Sequence, residues 1–357
     1  MLKPNLNETI YHPFESLLYK TCWLKHLAQK FAMQANYDYF GYFTKPILSK
    51  PKVLTRYLPK LKKIELLGHN GPFANSFCEN RLSTFKELIK TEKWDAFELK
   101  GYVSRPSGYS LKALYQIFTE LGLSPLVMTD EPEYLIQMED GGFEAYLAKK
   151  SKKNRQSIRR RFKKVEHLSP EFQVYQSADE INAFFNCFFR YHETYWKTDT
   201  TESYFSDSQE RAFILDFSTG LSKQGGLHLH RFKLNDTLVN MGMAMHNTSS
   251  EESSKDIFYG HLTINTGEYL DYAPGILSTF YELQYAFEQG FRWFNLGYGL
   301  NPFKANAATH KLNRYKLLLV NPKSLVGHAY LMQMKKKHSS ALLNHETIQN
   351  AEGISEL

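Results

Sequence analysis

Between a strand-like run and a helix-like run stand Tyr269-Leu270-Asp271-Tyr272-Ala273-Pro274-Gly275-Ile276-Leu277, an arrangement suited to holding an anion. A helix start presents backbone N–H groups with no intrahelical partner and the positive end of the peptide dipoles. A phosphate or pyrophosphate binds readily there. Gly275 would let such a ligand approach the backbone, and Pro274 gives up only an N–H that the helix does not use. The plainer reading is that Pro-Gly simply opens a helix. Lys304 offers a cation that could neutralise a phosphate of a cofactor or of a charged acceptor, the alternative being a solvated surface lysine.

A denser positive charge lies in residues 149–164, which contain ten Lys or Arg and no acid. The chain carries +7 in all, leaving −3 for the remainder, so the charge is local rather than a coat. As a solvated face it needs no function. As an anion site, Arg155, Arg159 or Lys152 would meet a cofactor phosphate or an anionic glycan. The run lacks the interleaved aromatic residues that stack on bases, so no specific nucleic acid is expected. His228 and His230 alternate on a strand and face one way, yet no third ligand follows at a supporting spacing, so no metal is expected. G-x-G-x-x-G, Walker and nucleophile-elbow motifs are absent, which leaves nucleotide hydrolysis and esterase chemistry without support.

The elements that would position these residues alternate strand and helix, the pattern of an α/β layer structure. Strands are expected at 37–43, 62–68 and 94–102, and helices at 81–93 and 110–122, followed by two short strands, PLVMT and EYLIQM. Asp140-Gly141-Gly142 marks the seam between halves. One long helix over 143–167 carries the basic run, with Ile158, Phe162 and Val165 on its buried side. Strand FQVYQ, helix DEINAFFNCFFRYHETYW and a helix near 207–223 come next. A hairpin then turns at Asn235-Asp236, and a polar loop, NTSSEESSKD, leads to strand IFYGHLTIN. The helix from Pro274 closes at Gly290, followed by strands FRWFNLG and RYKLLLV. From about Lys335 the residues are polar and show no packing pattern, and no internal repeat is evident.

At 357 residues, 42% of them apolar, the chain fills two domains. Its start has no basic head followed by an apolar run, and no stretch approaches the ~20 apolar residues of a membrane span. Cys22, Cys78 and Cys187 are far apart and fit buried thiols in a reducing compartment. The expectation is a cytoplasmic protein with no transmembrane segment.

Five landmarks recur in a fixed order. They are Ile64-Glu65-Leu66-Leu67-Gly68, the basic stretch from Leu147 to Arg160, and Tyr191-His192-Glu193-Thr194-Tyr195-Trp196. Tyr269 to Leu277 comes fourth, and Gly290-Phe291-Arg292-Trp293-Phe294-Asn295-Leu296-Gly297 with Phe303-Lys304 comes last. In order and spacing they resemble the CelD-like acetyltransferases, a GNAT branch related to the Fem peptidyltransferases, over residues 60 to 320. Four positions depart from that family's pattern: Tyr195 stands for Arg, Ala273 for Ser, Asn295 for Asp and Phe303 for Tyr.

The resemblance implies tandem GNAT-like halves, each a mixed β-sheet flanked by helices. Residues 1–140 would be the acceptor-shaping half without cofactor, 141–334 the acyltransferase half, and 335–357 a polar tail. It implies acetyl-CoA or another acyl-CoA as donor, its thioester entering between strands IFYGHLTIN and FRWFNLG. Thr263, Ile264, Ala273, Gly275, Ile276, Leu277 and Lys304 would hold that cofactor. His192 and Glu193 are the base candidates, and Tyr269 and Tyr272 the acid candidates. Arg155, Arg159, Trp196 and Asn295 would serve the acceptor or an anion. The transfer would be to nitrogen or oxygen of a small-molecule or saccharide acceptor, a sugar, lipid-linked saccharide or amino compound of envelope or exopolysaccharide metabolism. Two other readings stand beside this one: a Fem-like transferase using aminoacyl-tRNA, and a degenerate pair that binds without catalysis, motivated by Asn295 and Phe303.

Overall fold

The computed structural model describes residues 16–28, 40–46, 60–66, 77, 79–104, 109–197, 202–247, 257–351 and 353–357. Residues 37–39 of the first expected strand, Leu67 and Gly68, Cys78, and 248–256 of the polar loop lie outside the described residues.

The chain opens with α1 (Leu17–His26), β1 (Phe40–Pro46), β2 (Lys60–Leu66), α2 (Glu79–Thr91), β3 (Ala96–Tyr102), α3 (Leu111–Glu120) and β4 (Leu126–Gln137). There follow α4 (Gly142–Lys149), α5 (Lys152–Val165), β5 (Glu171–Tyr175), α6 (Asp179–Trp196), α7 (Ser208–Lys223), β6 (Leu227–Leu234) and β7 (Thr237–Met245). Next are β8 (Ile257–Asn265), α8 (Pro274–Glu288), β9 (Trp293–Tyr298), α9 (Pro302–Ala307), β10 (His310–Val320), α10 (Leu325–Lys337) and α11 (His345–Gln349). The fold is a mixed α/β one. It separates into two compact units, residues 1–133 with 312–355, and residues 134–311 with 356–357.

In the first unit β1 and β2 are antiparallel, β2 and β3 parallel, and β3 and β10 antiparallel. Phe77, Phe85, Phe97 and Phe118 fill its core, Phe85 tilted on Phe97 at 4.6 Å and the other pairs edge to face at 5.4–6.4 Å. Residues 312–355 belong to this unit. Tyr330 and Met334 of α10 pack with Leu61, Ala96 and Leu318, and Ile348 of α11 joins the phenylalanine core. Tyr330 and Met334 come before Lys335, and after it Ile348 is buried among polar neighbours.

One face of the β2–β3 pair is charged and buried. Lys63 pairs with Glu65 and Glu98, each under 5% exposed, and Lys100 stands 3.1 Å from Glu65. Burial alone would raise the Glu98 carboxyl, but the Lys63 and Lys100 ammoniums outweigh it and hold it well below the carboxylate range. Burial alone would likewise lower Lys63, and the two carboxylates override it.

In the second unit β5, β6, β7 and β8 form an antiparallel ladder, and β9 joins β8 in parallel. The β6–β7 turn falls at Asn235 and Asp236, both left-handed (φ 46° and 62°), as a two-residue hairpin requires. The expected long helix is two. Lys150 is extended, Ser151 caps α5 by accepting from the Asn154 N–H at 3.3 Å, and Arg155 donates to the carbonyls of Ala148 and Lys150. Both units repeat one device, a strand, a helix and a parallel strand paired over three residues only: 63–65 with 96–98, and 257–259 with 293–295.

Candidate active site

The second parallel pair sets the geometry. β8 and β9 are in register at Ile257, Phe258 and Tyr259, and the pairing ends at Tyr259 opposite Asn295. On its other edge β8 carries an extra residue, since Ala244 pairs with Gly260 and Met243 with Leu262, skipping His261. Such a bulge bends the strand that carries it. Desolvation lowers the pKa of the half-buried His261 imidazole. β8 therefore parts from β9 just beyond Tyr259, and Gly260 stands at the vertex. On the β9 side Gly297 is left-handed (φ 80°), and its N–H donates to Asn295 Oδ1 at 2.7 Å. Asn295 is fully buried, and its amide serves this turn.

α9 returns the chain to the vertex. Lys304 Nζ donates to the Tyr298 carbonyl at 2.8 Å and lies 3.4 Å from where a Gly297 Cβ would stand, with the Gly260 carbonyl 4.0 Å from the same point. Phe303 beside it packs edge to face on Phe280 at 5.6 Å.

At the far end of β8 the chain turns through Tyr269 and Ala273, both left-handed (φ 53° and 52°), into α8. The loop binds much of its own backbone. The Tyr272 N–H donates to Tyr269 O, Ala273 N–H to Leu270 O, and Ile276 and Leu277 N–H to Ala273 O, at 2.9–3.2 Å. In the first turn of α8 only the Gly275 N–H makes no such bond among the described residues. Gly275 is small because Asn265 is close; a Cβ there would come 3.0 Å from Asn265 Oδ1. Asn265 Oδ1 in turn accepts from Asn240 Nδ2 at 2.9 Å, and Asn240 Nδ2 also donates to Thr263 Oγ1 at 3.1 Å. Thr263 is exposed and Ile264 buried. Lys164, at the end of the basic helix, donates to the Asp271 carbonyl at 3.0 Å and stands 4.5 Å over the Tyr272 ring. The basic helix thus leads to this loop.

The other expected residues stand elsewhere in the unit. His192 Nδ1 is 2.7 Å from Ser203 Oγ, its ring lies against Phe188, Phe205 and Trp196, and burial lowers its pKa. Glu193 is ion-paired with Arg211, and Arg159 with Glu144. Trp196 is 44% exposed beside Tyr195 at 56%. His228 and His230 do face one way, but into two separate networks. His228 meets His246 and Tyr285 at 2.8 and 3.0 Å. Among the described residues no three His, Cys, Asp or Glu side chains gather in a metal-binding group.

Glu282 is not among the residues that the sequence patterns single out. It lies on α8 one helical turn beyond Ser278, both on the buried side. His230 Nε2 stands 3.2 Å from Ser278 Oγ, and His230 Nδ1 stands 3.3 Å from Glu282 Oε1, off the hydrogen-bonding direction. Glu282 Oε2 lies 3.5 Å from the Cβ position of Gly260. Pro274, Ser278 and Glu282 recur every fourth residue, so a carboxylate on the apolar face of α8 was the available signal. His230, 52 residues earlier, was not linked to it by any spacing.

Residues 152–305 match the family model described as an acetyltransferase (GNAT) domain, so this segment carries a domain of acyltransferase type. No curated protein matches the chain significantly. Among solved structures, a conserved protein of unknown function from Bacteroides thetaiotaomicron VPI-5482 is 13% identical. That match covers 86% of this chain and 90% of that one, with a TM-score of 0.51. FemX is also 13% identical, over 89% of this chain and 94% of its own, with a TM-score of 0.50. At this identity the likeness is one of fold. Among the described residues no helix is long and apolar enough to cross a membrane.

Proposed function

We propose that the second unit transfers an acyl group from an acyl-CoA to a small-molecule or saccharide acceptor, within the CelD-like branch to which its landmarks point. The observation that carries this reading is the parting of β8 from β9 at Gly260, with Lys304 on α9 beside it and the α8 start at the far end of β8. A strand that leaves its neighbour offers backbone groups along one side, and an extended donor chain can take the neighbour's place. The loop from Tyr269 to Leu277, with Gly275 N–H and Lys164 near it, suits the donor's phosphates. Lys304 then lies where the acyl carbonyl would stop, able to stabilise the negative charge that grows on its oxygen.

One observation favours a second reading, a Fem-like transfer from aminoacyl-tRNA. The exposed cations of α5 run toward the same loop, and a polyanionic donor would use them. Calorimetric titration with acetyl-CoA and desulfo-CoA separates the two. The first reading expects one site of micromolar affinity for both. Absence of binding, together with turnover of aminoacyl-tRNA, would replace it with the second.

A further inference from the structure

Apart from Gln156, the exposed residues of α5 are Lys152, Lys153, Arg159, Arg160, Lys163 and Lys164, and the helix contains no acid. Its other side, Ile158, Phe162 and Val165, is taken up by the core of the second unit. Such an outward face works against its own helix. Lys152 and Lys153 stand in the first turn, where the peptide dipoles disfavour a cation. Arg159 and Lys163, and Arg160 and Lys164, are four residues apart, a spacing at which like charges repel. A solvated helix face that interleaves acids with bases avoids both costs. Arg159 reaches Glu144 on α4, and Lys164 donates to the Asp271 carbonyl. Among the described residues no ion pair or hydrogen bond engages the side chain of Lys152, Lys153, Arg160 or Lys163. An anionic partner would relieve that repulsion.

The surface beside these cations is apolar at one point. The bond from Lys164 to Asp271 ties the end of α5 to the loop before α8, and Leu270 in that loop is 55% exposed. We propose that the outward face of α5, with Leu270 beside it, docks the second unit on a bilayer of anionic lipid. The headgroups take the charges, and the boundary between headgroups and acyl chains takes the leucine. Glu268 and Asp271 flank Leu270, so the leucine is a single anchor and the cations supply the attraction. A nucleic acid would use the same cations but has no place for an aliphatic side chain. It would call for exposed rings on which bases stack, and the Tyr272 ring of this loop lies under Lys164 at 4.5 Å. The proposal makes no use of the acyl-transfer reading, and holds for either donor.

The test is sedimentation of the full chain with vesicles at neutral pH. One set is phosphatidylcholine alone, the other an equal mixture of phosphatidylcholine and phosphatidylglycerol. The protein should sediment with the mixed vesicles and not with the neutral ones at about 0.1 M salt, and should be released at about 0.5 M. Arg160→Gln with Lys163→Gln keeps good helix formers at two exposed positions and removes two charges. It should weaken binding about 25-fold, since each cation near an anionic surface contributes about fivefold. Leu270→Ser, which lies outside α5, should weaken it about tenfold. No binding to the mixed vesicles, equal binding to both sets, or binding unchanged by the double variant would overturn the proposal. Binding unchanged by Leu270→Ser, or lost to mixed tRNA at equal phosphate concentration, would make the face a general polyanion site and overturn the assignment to lipid.

Discussion

Lys304→Ala is expected to lower kcat/KM for acyl transfer by about 100- to 1000-fold, the usual loss when one oxyanion-stabilising group is removed. The side chain donates to the Tyr298 carbonyl, at the end of β9 where the strand is already leaving its neighbour. Its ammonium is placed within 3.4 Å of the space above Gly297, and that space is open because Gly297 has no side chain. A Gly there is favoured by the φ of 80°, and a Cβ would meet the lysine only at ordinary contact distance. Lys304→Arg should recover part of the rate, since the charge returns with a different shape. The melting temperature of Lys304→Ala should stay within a few degrees of the wild type. A variant with kcat/KM within threefold of the wild type would remove Lys304 from the reaction.

Lys63→Ala should destabilise the first unit by about 3–5 kcal/mol, the range for breaking a buried ion pair from one side. It would leave Glu65 and Glu98 sealed on one face of β2 and β3 with Lys100 alone, and Lys100 is one-third exposed. Replacing Lys63, Glu65 and Glu98 together by apolar residues of similar size should cost far less. The same cluster sets a pH dependence. Glu98 has a folded pKa below its unfolded value, so its contribution is present above the ordinary carboxylate range. It is lost as pH falls through that range toward the folded value. Urea unfolding at pH 7 and pH 3.5 should show the wild type losing stability on acidification and a Glu98→Gln variant losing less of it. Destabilisation of Lys63→Ala by under 1 kcal/mol would mean that the cluster is hydrated and not buried.

Both the reactive residues and the buried charges differ in how far the sequence reveals them. The apolar face of Asp179–Trp196 marks α6 to the residue, and Asn235-Asp236 marks the hairpin turn, because local chemistry decides both. β8, the opening of α8 at Pro274 and the close at Gly290 are legible for the same reason. The break between α4 and α5 has a local signal too, Ser151 as a cap, but the unbroken run of basic residues obscures it. β4 passes through Pro132 as one strand of twelve residues, where its sequence suggests two. Lys63, Glu65 and Glu98 look like solvent-facing strand residues until α10 covers them, and nothing near them in the chain announces that helix. The same holds for Glu282 on α8, whose neighbour His230 comes from β6. Charges that are compensated across the fold carry no local mark.

The claim on which the rest depends is that the donor enters where β8 and β9 part. Amide hydrogen exchange with and without CoA measures this directly. The account predicts slowed exchange on CoA addition in peptides covering residues 260–277 and 296–304, with little change in β5 or β6. CoA binding that leaves both of those segments exchanging as before would contradict it.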